Sequence, residues 1–381
     1  MRVLMSCRPY AGHLLPMLPV ARALLEAGHG VACASGHDVE ALVQDHGLTF
    51  RRAGPGQMTA AERVTLFPEA SSLSPDEIRP FFFRWVFSAH ELPLRVEELD
   101  AAVEQWKPDI LVHEVAEFAG PLVASARGLP YATHSFGVLP GEDVVAAAAE
   151  GARAYWQSRG LNPHPRAGLW QYLYLDVCPP SLQRGVPSEA PTVQQVRPGE
   201  RTPRARSTRR PLIYVTLGTV FNTDTATFRT ILDGLAGEDV EVVVTVGPHG
   251  DQAALGRQPA NVHIERFIPQ AEILATCSLV ITHGGAGSTL GALTFGCPIL
   301  FLPLGADQFV NAERVTNAGA GRILLPAHRS ANSVRAEVRR LLDQRSFTHA
   351  AERLSDEIAA MPNPSAAVTA LEALAGAHHR R

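Results

Sequence analysis

The sequence predicts an α/β protein of two doubly wound, Rossmann-like domains, and three observations lead to this prediction. Short apolar runs alternate with helical patterns, which is typical of βαβ units and parallel sheets. The alternation begins at the start of the chain and begins afresh at Leu212. A stretch rich in Pro, Arg, Ser and Thr separates the two runs. We therefore place the domains at residues 1–196 and 211–381, with a linker over 197–210, and expect them to face each other across a cleft.

Length and composition exclude several classes of protein. The 381 residues suffice for two ordinary domains, and a net charge of −4 with mixed signs argues against nucleic acid as a partner. The five cysteines are scattered and never spaced as C-x-x-C, so we interpret them as reduced core residues without metal-binding function. The N-terminus does not resemble a signal peptide, and no apolar run approaches the ~20 residues of a membrane span. We expect a soluble, cytoplasmic protein without stable membrane association.

The first run opens with a complete βαβ unit. Residues 2–7 form a short apolar strand, residues 14–27 a helical pattern, and residues 30–34 the next strand. Gly28 follows the helical pattern and is a typical helix stop. A strand, a helix and a strand in this order predict a parallel sheet.

The remainder of the first run is less regular. Pro and Gly interrupt residues 51–80, and an aromatic run over 81–87 then opens a helix that extends to 105. This run is either core or the wall of an apolar pocket, since such walls are mainly aromatic and aliphatic. The next predicted elements are a strand over 108–113, a helix over 120–127, a strand over 129–134 and a helix over 146–175. Residues 179–211 show no apolar period.

The second run repeats the alternation of strands and helices. A strand over 212–217 ends in the turn Gly218-Thr219. Further strands are predicted over 240–246 and 262–264, and helices over 225–235, 309–318, 333–342, 347–360 and 365–375.

A glycine-rich turn is the centre of the second run. Residues 279–282 form a β-branched apolar run, His283-Gly-Gly-Ala-Gly-Ser288 follows, and a helical pattern begins at Ser288. The first N–H groups of a helix have no partner within the helix and carry partial positive charge, so they attract phosphate. His283 can donate one more hydrogen bond to a diphosphate oxygen. The alternative is a tight turn with a structural histidine.

The neighbouring motifs resemble the donor signature of inverting, nucleotide-sugar-dependent glycosyltransferases of the GT-B fold, which include plant UDP-glucosyltransferases and bacterial antibiotic glycosyltransferases. Four parts occur in the order and spacing of that family: an aromatic before Pro-Gln, the phosphate turn, a strand flanked by prolines at 298 and 303, and Asp-Gln. The resemblance implies that the donor contacts Phe267, Ile268, Gln270, His283, Gly284, Gly285, Ala286, Gly287, Ser288, Asp307 and Gln308. It also implies that Gly218 and Thr219 lie by the phosphates.

The chemistry of glycosyl transfer assigns roles to these residues. The leaving diphosphate needs a metal ion or fixed dipoles, and the sequence has no D-x-D pair, so we expect the helix start to replace the metal. No metal and no resident cofactor are expected, because the nucleoside diphosphate sugar is a co-substrate. Phe267 is expected to stack on the base. Asp307 and Gln308 can orient sugar hydroxyls, although Asp307 can also cap the following helix.

The predicted catalytic base is His13, in Gly12-His13-Leu-Leu-Pro16. The resembling family has Gly-His-x-x-Pro here, and its histidine deprotonates the acceptor hydroxyl. A histidine ahead of a helix N-terminus lies in a field that favours the neutral imidazole. The family orients this histidine with an Asp at the end of a later strand. Glu114 takes that place here, one methylene longer.

The resemblance implies that the first domain binds the acceptor and the second the donor, and that the last helix crosses back to the first domain. The predicted reaction moves a sugar or deoxysugar to a hydroxyl of an apolar natural product such as a polyketide. The expected acceptor contacts are Phe81, Phe82, Trp85, Phe136 and Trp156. The alternatives are a nucleotide-sugar epimerase, a non-catalytic nucleotide-sugar-binding partner, and a membrane-associated transferase for lipid-linked acceptors. We expect a monomer or homodimer.

Position 291 bears on which nucleotide the sugar donor carries. In the plant UDP-sugar enzymes of the resembling family, an acidic residue eight positions after the phosphate-turn histidine holds the ribose hydroxyls. Gly291 occupies that position here and has no side chain to offer. A ribose 2′-hydroxyl gains no partner from it, so the sequence predicts a dTDP-sugar in preference to a UDP-sugar. The alternative is that Gly291 lets its helix pack closely.

Overall fold

The chain forms two α/β units, each built on a twisted parallel sheet. The structure is a computed structural model, which describes residues 1–183, 192–200, 210–219, 222–247 and 250–378. The first unit comprises Met1–Cys178, Gln183–Val196 and Pro362–Arg381, and the second comprises Pro179–Leu182 and Arg197–Met361. The centre of the predicted linker, residues 201–209, lies outside the described residues.

The first unit has a seven-stranded sheet in the order β3-β2-β1-β4-β5-β6-β7, and its strands pair in parallel. Its strands are β1 Arg2–Ser6, β2 Gly30–Ser35, β3 Thr49–Arg52, β4 Ile110–Glu114, β5 Tyr131–His134, β6 Leu173–Asp176 and β7 Val193–Gln195. Its helices are α1 Ala11–Leu14, α2 Leu18–Glu26, α3 Glu40–Asp45, α4 Ala60–Leu66, α5 Pro75–Phe81, a π-helix Phe82–Glu91, α6 Leu92–Trp106, α7 Ala119–Arg127, α8 Glu142–Ser158 and, from the end of the chain, α15 Ser365–His378.

The second unit has a six-stranded parallel sheet in the order β10-β9-β8-β11-β12-β13. Its strands are β8 Leu212–Thr216, β9 Glu241–Thr245, β10 Val262–Glu265, β11 Leu279–Thr282, β12 Ile299–Phe301 and β13 Gly321–Ile323. Its helices are α9 Thr225–Leu235, α10 Gln270–Leu274, α11 Ala286–Thr294, α12 Gln308–Asn317, α13 Ala331–Asp343 and α14 Arg345–Ala360. Two parallel-sheet units confirm the predicted fold class.

Each unit has its own apolar core between the sheet and its helices. In the first unit this core includes Leu4, Leu99, Leu111 and Tyr174, and in the second it is rich in Val, Ile and Leu from the central strands. Central strands that are buried on both faces explain the near-continuous apolar runs of the sequence.

The helix predicted over residues 14–27 begins earlier, at Ala11, and is interrupted. A 3₁₀ turn, Leu15–Met17, joins α1 to α2. Pro16 supplies no N–H group, so the regular hydrogen-bond ladder changes there. His13 therefore lies within the first helical turn and not ahead of the helix.

Two other helices differ from the prediction. The helix predicted over 146–175 corresponds to two elements, α8, which begins at Glu142 and ends at Ser158, and strand β6, which ends at Asp176. A buried apolar strand such as β6 is not distinguished from a helix by periodicity. The aromatic helix is also composite, because a π-helix separates α5 from α6. Pro80 and Pro93 lie on either side of the junctions, and each removes one helical donor.

The short strands β3, β7 and β13 were not predicted from the sequence. β7 and β13 are three residues long, and β3 includes two arginines at the edge of its sheet. Such strands carry too few apolar residues for a period of two to be seen.

Two further observations concern the whole chain. The five cysteines are buried, and within the described chain none of them forms a disulfide. Among the described residues, no helix has both the length and the apolar character needed to cross a membrane.

Candidate active site

The predicted catalytic residues meet where the strand order of the first sheet reverses. β1 and β4 are neighbours, and the chain winds outward from them in both directions. In open parallel sheets, ligands bind beyond the carboxyl ends of the strands at this point. His13 follows β1 and Glu114 ends β4, so both residues lie at that edge.

His13 and Glu114 form a hydrogen-bonded pair. His13 Nδ1 lies 2.9 Å from Glu114 Oε1, and the longer side chain of glutamate therefore still makes the contact. The histidine side chain is 19% exposed, whereas the carboxylate is fully buried. With Nδ1–H donating to the carboxylate, Nε2 of the neutral ring is free to take a proton from another group.

Glu114 is held as a carboxylate. Its burial alone raises its pKa, but the attraction and hydrogen bond of His13, the Ala116 N–H and the charge of Arg8 together lower the pKa below its ordinary value. Oε1 also accepts a long hydrogen bond of 3.4 Å from the Arg8 N–H, and Oε2 accepts from the Ala116 N–H. An ionised partner can fix the imidazole tautomer and stabilise an imidazolium.

Two aromatic rings flank His13. Phe136, from the loop after β5, packs edge-on with ring centroids 5.1 Å apart, and Tyr10 lies at 5.6 Å. The structure thus brings Phe136, a predicted acceptor contact, next to the predicted base. Tyr10 was not predicted, and the only signal in the sequence was its position three residues before His13.

The other predicted acceptor contacts separate into two groups. Phe81 and Phe82 are half-buried and belong to a series of ring contacts with Phe67 and Phe87, while Trp85 is 46% exposed. Trp156 is 4% exposed and packs within the core of the first unit.

The predicted phosphate-binding turns meet in the same way in the second unit. The strand order reverses between β8 and β11, which are neighbours. Gly218 follows β8, and His283 follows β11. Gly218 has φ +72°, and Thr219 beside it is exposed.

The His283 ring fills the space between these two turns. A Cβ added to Gly218 would lie 2.6 Å from His283 Cε1, and one added to Gly285 would lie 2.6 Å from Nε2. Nδ1 lies 3.1 Å from the Thr282 hydroxyl, and the ring also hydrogen-bonds to the main chain of Thr216. Burial lowers the pKa of His283 to about 4, so the ring is uncharged at neutral pH. His283 can contribute shape and a neutral N–H group to this turn, but no positive charge.

Helix α11 begins two residues earlier than predicted, at Ala286. Gly285 is its N-cap, with extended φ −59° and ψ 146°, and the first helical bond runs from the Thr289 N–H to the Gly285 carbonyl. The N–H groups of Ala286, Gly287 and Ser288 therefore belong to the first turn and have no partner within the helix. A Cβ on Gly287 would meet no described atom within 4 Å, so the main chain is open to a ligand there.

Asp307 and Gln308 make hydrogen bonds within the protein that the sequence did not predict. The Gln308 side chain is buried, and its Oε1 accepts hydrogen bonds from the N–H groups of Leu304 (2.6 Å) and Gly305 (3.0 Å). These two bonds leave the amide N–H groups of Gln308 available as donors. Asp307 occupies the N-cap position of α12, as the capping alternative expected, but within the described chain its side chain makes no capping hydrogen bond to that helix.

Asn311, which was not predicted, connects the Asp-Gln pair to the phosphate turn. Its Nδ2 donates to Asp307 Oδ2 at 2.8 Å and to the Gly284 carbonyl at 2.9 Å. Ala306, just before Asp307, has φ +55°, a left-handed conformation that costs a non-glycine residue of order 1 kcal/mol. Backbone strain of this kind accumulates at ligand-binding sites. The signal in the sequence was the spacing of Asp307 and Asn311, one helical turn apart.

The remaining predicted donor contacts differ in exposure. Phe267 is 76% exposed, an unusual fraction for a large aromatic ring, while Ile268 and Gln270 are half-buried. The Gln270 side chain lies against Gly291, because a Cβ at Gly291 would be 2.9 Å from Gln270 Oε1 and 3.3 Å from Leu274 Cδ1. The space of a side chain at position 291 is thus taken by Gln270.

Comparison with known proteins identifies related sequences over nearly the whole chain. The N-terminal domain of the erythromycin biosynthesis protein CIII-like family matches residues 22–197, and its C-terminal domain matches residues 229–374. L-Demethylnoviosyl transferase of Streptomyces niveus is 33% identical, with 98% of each chain covered. Elloramycin glycosyltransferase ElmGT of Streptomyces olivaceus is 30% identical over 96% of this chain and 95% of its own.

Solved structures agree with these relatives. The spinosyn rhamnosyltransferase SpnG is 30% identical and superposes with a TM-score of 0.77 over 98% of this chain and 100% of its own. The glycosyltransferase SnogD from Streptomyces nogalater is 29% identical, with a TM-score of 0.77 over 99% of both chains. SpnG has also been solved with thymidine diphosphate and with spinosyn aglycone.

Proposed function

The chain belongs to the erythromycin CIII-like family of antibiotic glycosyltransferases, and from this premise we propose which sugar donor it uses and how it transfers the sugar. The protein transfers a deoxysugar from dTDP to a hydroxyl of an apolar natural product such as a polyketide, with inversion at the anomeric carbon. It does so in the cytoplasm, in keeping with its five buried cysteines, none of which forms a disulfide in the part of the chain that the structure describes.

The contact between His13 and Glu114 is the observation that carries this proposal. His13 Nε2 takes the proton of the acceptor hydroxyl while the acceptor oxygen attacks the anomeric carbon. The bond from that carbon to the diphosphate oxygen breaks, and its electron pair leaves with the diphosphate. Glu114 stabilises the imidazolium as it forms. Because the acceptor displaces the diphosphate directly, the configuration inverts and no covalent enzyme intermediate is needed.

The second unit stabilises the leaving group. The N–H groups of Ala286, Gly287 and Ser288 lie at the positive end of α11 and are aimed where negative charge develops. His283 keeps the turns after β8 and β11 at a fixed separation and can donate a neutral hydrogen bond. Asp307 and the Gln308 amide orient the sugar hydroxyls, and Thr219 lies by the phosphates.

The choice of dTDP is supported by the packing at Gly291. The neutral amide of Gln270 fills the space that an acidic side chain has in the resembling UDP-sugar enzymes. A ribose 2′-hydroxyl therefore gains no charged acceptor, which is worth roughly 1.5–3 kcal/mol. Thymidine lacks this hydroxyl and loses nothing. The thymidine diphosphate bound in the SpnG structure is in line with this choice.

Transfer assays with the purified protein test the proposal. A dTDP-deoxysugar and a panel of apolar aglycones should yield a glycoside of inverted anomeric configuration by NMR. Conversion of the nucleotide sugar without an aglycone would instead favour an epimerase. Tight binding of both substrates without turnover would favour a non-catalytic partner.

Competition calorimetry tests the nucleotide separately. We expect dTDP to bind about ten- to a hundredfold tighter than UDP, the ratio that corresponds to one charged hydrogen bond. The double variant Gln270→Ala/Gly291→Glu, which makes room for a carboxylate, should narrow the ratio. Tighter binding of UDP by the wild-type protein would refute the dTDP assignment.

A further inference from the structure

A buried arginine lies beside the catalytic pair and is not used by the proposed mechanism. Arg8 follows β1 and is 6% exposed. Its Nε donates to Glu91 Oε2 at 2.7 Å, and its Nη2 donates to Glu91 Oε1 at 2.6 Å. This two-pronged geometry fixes both side chains in one orientation. Glu91 is the last residue of the π-helix and is also buried.

Arg8 touches both the predicted base loop and the aromatic helix. Its guanidinium lies 3.8 Å from the Phe87 ring centroid and 4.9 Å from that of Tyr10. Phe87 in turn packs against Phe82, one of the predicted acceptor contacts, at 5.9 Å. Tyr10 packs against His13 at 5.6 Å. A continuous series of contacts thus runs from the aromatic helix, through Arg8, to the imidazole.

The main chain of Arg8 completes the surroundings of Glu114. Oε1 of the carboxylate accepts from His13 Nδ1 and, over 3.4 Å, from the Arg8 N–H, while Oε2 accepts from the Ala116 N–H. Donors on both oxygens set the plane of the carboxylate. The position of the Arg8 main chain therefore bears directly on the plane in which His13 is held.

Stability alone is a weak explanation for this ion pair. Removing two charges from water is costly, and a buried pair is often replaced by apolar residues of similar volume without loss of stability. π-Helical turns are rare and are frequent at functional sites, and the π-helix here spans Phe82–Glu91. Both observations favour a functional role for the ion pair that connects Glu91 to the loop carrying His13.

We propose that Arg8 is a positioning residue for the His13–Glu114 pair and that its ion pair with Glu91 couples the pair to the aromatic helix on which the acceptor packs. Arg8 touches neither substrate. It holds the loop after β1 so that Glu114 and His13 keep the geometry needed to deprotonate the acceptor. The inference rests on the proposed function, because the aromatic helix is the proposed acceptor wall.

The test removes both charges, so that neither is left buried and unpaired. In the double variant Arg8→Met/Glu91→Met we expect kcat to fall about ten- to a hundredfold, since small misplacements of catalytic groups cost this much. The dissociation constant of dTDP should stay within twofold. Arg8→Lys keeps a charge that can reach Glu91 but lacks the planar fork, and should give an intermediate loss. Arg8→Lys also provides the test of the proposal if the double variant does not fold.

A cycle of variants separates positioning from a general structural role. If Arg8 acts through the catalytic pair, the Arg8→Met/Glu91→Met change should lower kcat less than threefold in a Glu114→Gln background. An equal loss in both backgrounds, or unchanged kcat in the wild-type background, overturns the inference. Arg127→Gln is the control for an arginine ion pair of the same unit, since Arg127 pairs with Asp100 and Glu104 on the surface, and its activity should be unchanged.

A second readout does not depend on activity. Nitrogen-15 NMR of histidine-labelled protein reports which ring nitrogen of His13 carries the proton, and the signal is assigned by its loss in His13→Gln. We expect Nδ1 to be protonated in the wild-type protein and a mixture of tautomers in Arg8→Met/Glu91→Met. An unchanged tautomer contradicts the inference. A wild-type protein that transfers no sugar would refute the proposed function, while the NMR comparison would still decide the role of Arg8.

Discussion

Glutamate at position 114 is one methylene longer than the aspartate of the resembling family, and the additional length does not break the contact with His13. The two side chains meet at 2.9 Å because the carboxylate is anchored from behind by main-chain N–H groups. Donors to both carboxylate oxygens fix the plane of the longer side chain.

Replacement of His13 by alanine should lower kcat about 10²–10⁴-fold, the usual contribution of a general base. Binding of dTDP should change by no more than a few-fold, because His13 belongs to the first unit and the predicted phosphate-binding turns belong to the second. Glu114→Gln, which keeps the size but removes the charge, should give a smaller loss. Turnover of the alanine variant near the wild-type rate would place the base elsewhere.

Phe267→Ala should weaken binding of dTDP by about 1–3 kcal/mol, the usual value of a base stacked on an aromatic ring. The ring is 76% exposed, so the free energy of unfolding should hardly change. Phe267→Trp is the matched comparison and should bind at least as tightly as the wild-type protein. Calorimetry that finds equal affinity for the alanine variant would mean that the exposed ring serves another purpose.

The His283 ring packs between the turn after β8 and the turn after β11, so a change in one turn is expected to displace the other. Gly218→Ala should displace the His283 ring, since the added Cβ would lie 2.6 Å from Cε1, and φ +72° is itself unfavourable for alanine. We expect binding of dTDP to weaken at least tenfold and the second unit to lose about 1–3 kcal/mol of stability. Gly376→Ala in α15 is the control, because its Cβ would meet nothing described within 4 Å. Unchanged nucleotide affinity in Gly218→Ala would show that the ring tolerates movement.

The sequence predicted the strands and turns of the second unit better than the structure of the aromatic helix in the first unit. Gly218, His283 and Asp307 follow strands whose apolar runs are plain, so their meeting at one edge of a parallel sheet could be inferred. The π-helix could not, because the run over 81–87 is apolar at nearly every position and shows no period from which a change in hydrogen bonding could be read. The same applies to the start of α11, where Gly285 was taken as part of the turn and is the N-cap of the helix.

The contacts around His13 could not be predicted from the sequence, because they depend on tertiary packing. Arg8 and Glu91 are separated by 83 positions, and no periodicity connects them. The role of Gln270 beside Gly291 depends in the same way on how α10 packs against α11. Local pattern predicts which residues lie at a strand end, but not which distant side chain fills the space beside them.

At the scale of the whole molecule, buried histidines make stability depend on pH. Burial lowers the pKa of His134 in the first unit and of His283 in the second to about 4, and it also lowers that of His113. The unfolded chain binds protons near pH 6.5, whereas the native protein does not. Stability is therefore complete above about pH 6.5 and falls as the pH drops toward 4, by of order 3 kcal/mol for each of the two most shifted residues.

Denaturant unfolding at pH 7.5 and pH 5 measures this dependence, with each unit followed separately because two-domain proteins need not unfold in one step. His134→Gln should flatten the pH dependence of the first unit, and His283→Gln that of the second. Equal stability at both pH values would show that these histidines take up protons in the native protein.

Catalysis is expected to be independent of divalent metal. The sequence has no D-x-D pair, and among the described residues no group of three or more His, Cys, Asp or Glu side chains could hold a metal ion. Turnover should survive treatment with EDTA, since the proposed stabilisation of the diphosphate by the start of α11 needs no metal ion. Complete loss of activity that Mg²⁺ or Mn²⁺ restores would contradict this account.

The return of α15 to the first unit constrains how such enzymes can be recombined. Residues 362–378 follow the second unit in the chain, yet Glu372 accepts a hydrogen bond from His29 at 3.0 Å, and His378 Nε2 donates to the Gly128 carbonyl at 2.8 Å. A hybrid with one crossover near residue 197 would graft a foreign terminal helix onto the native first unit. An exchange of second units between relatives therefore needs two crossovers, one near 197 and one near 361, so that α15 stays with the sheet it covers.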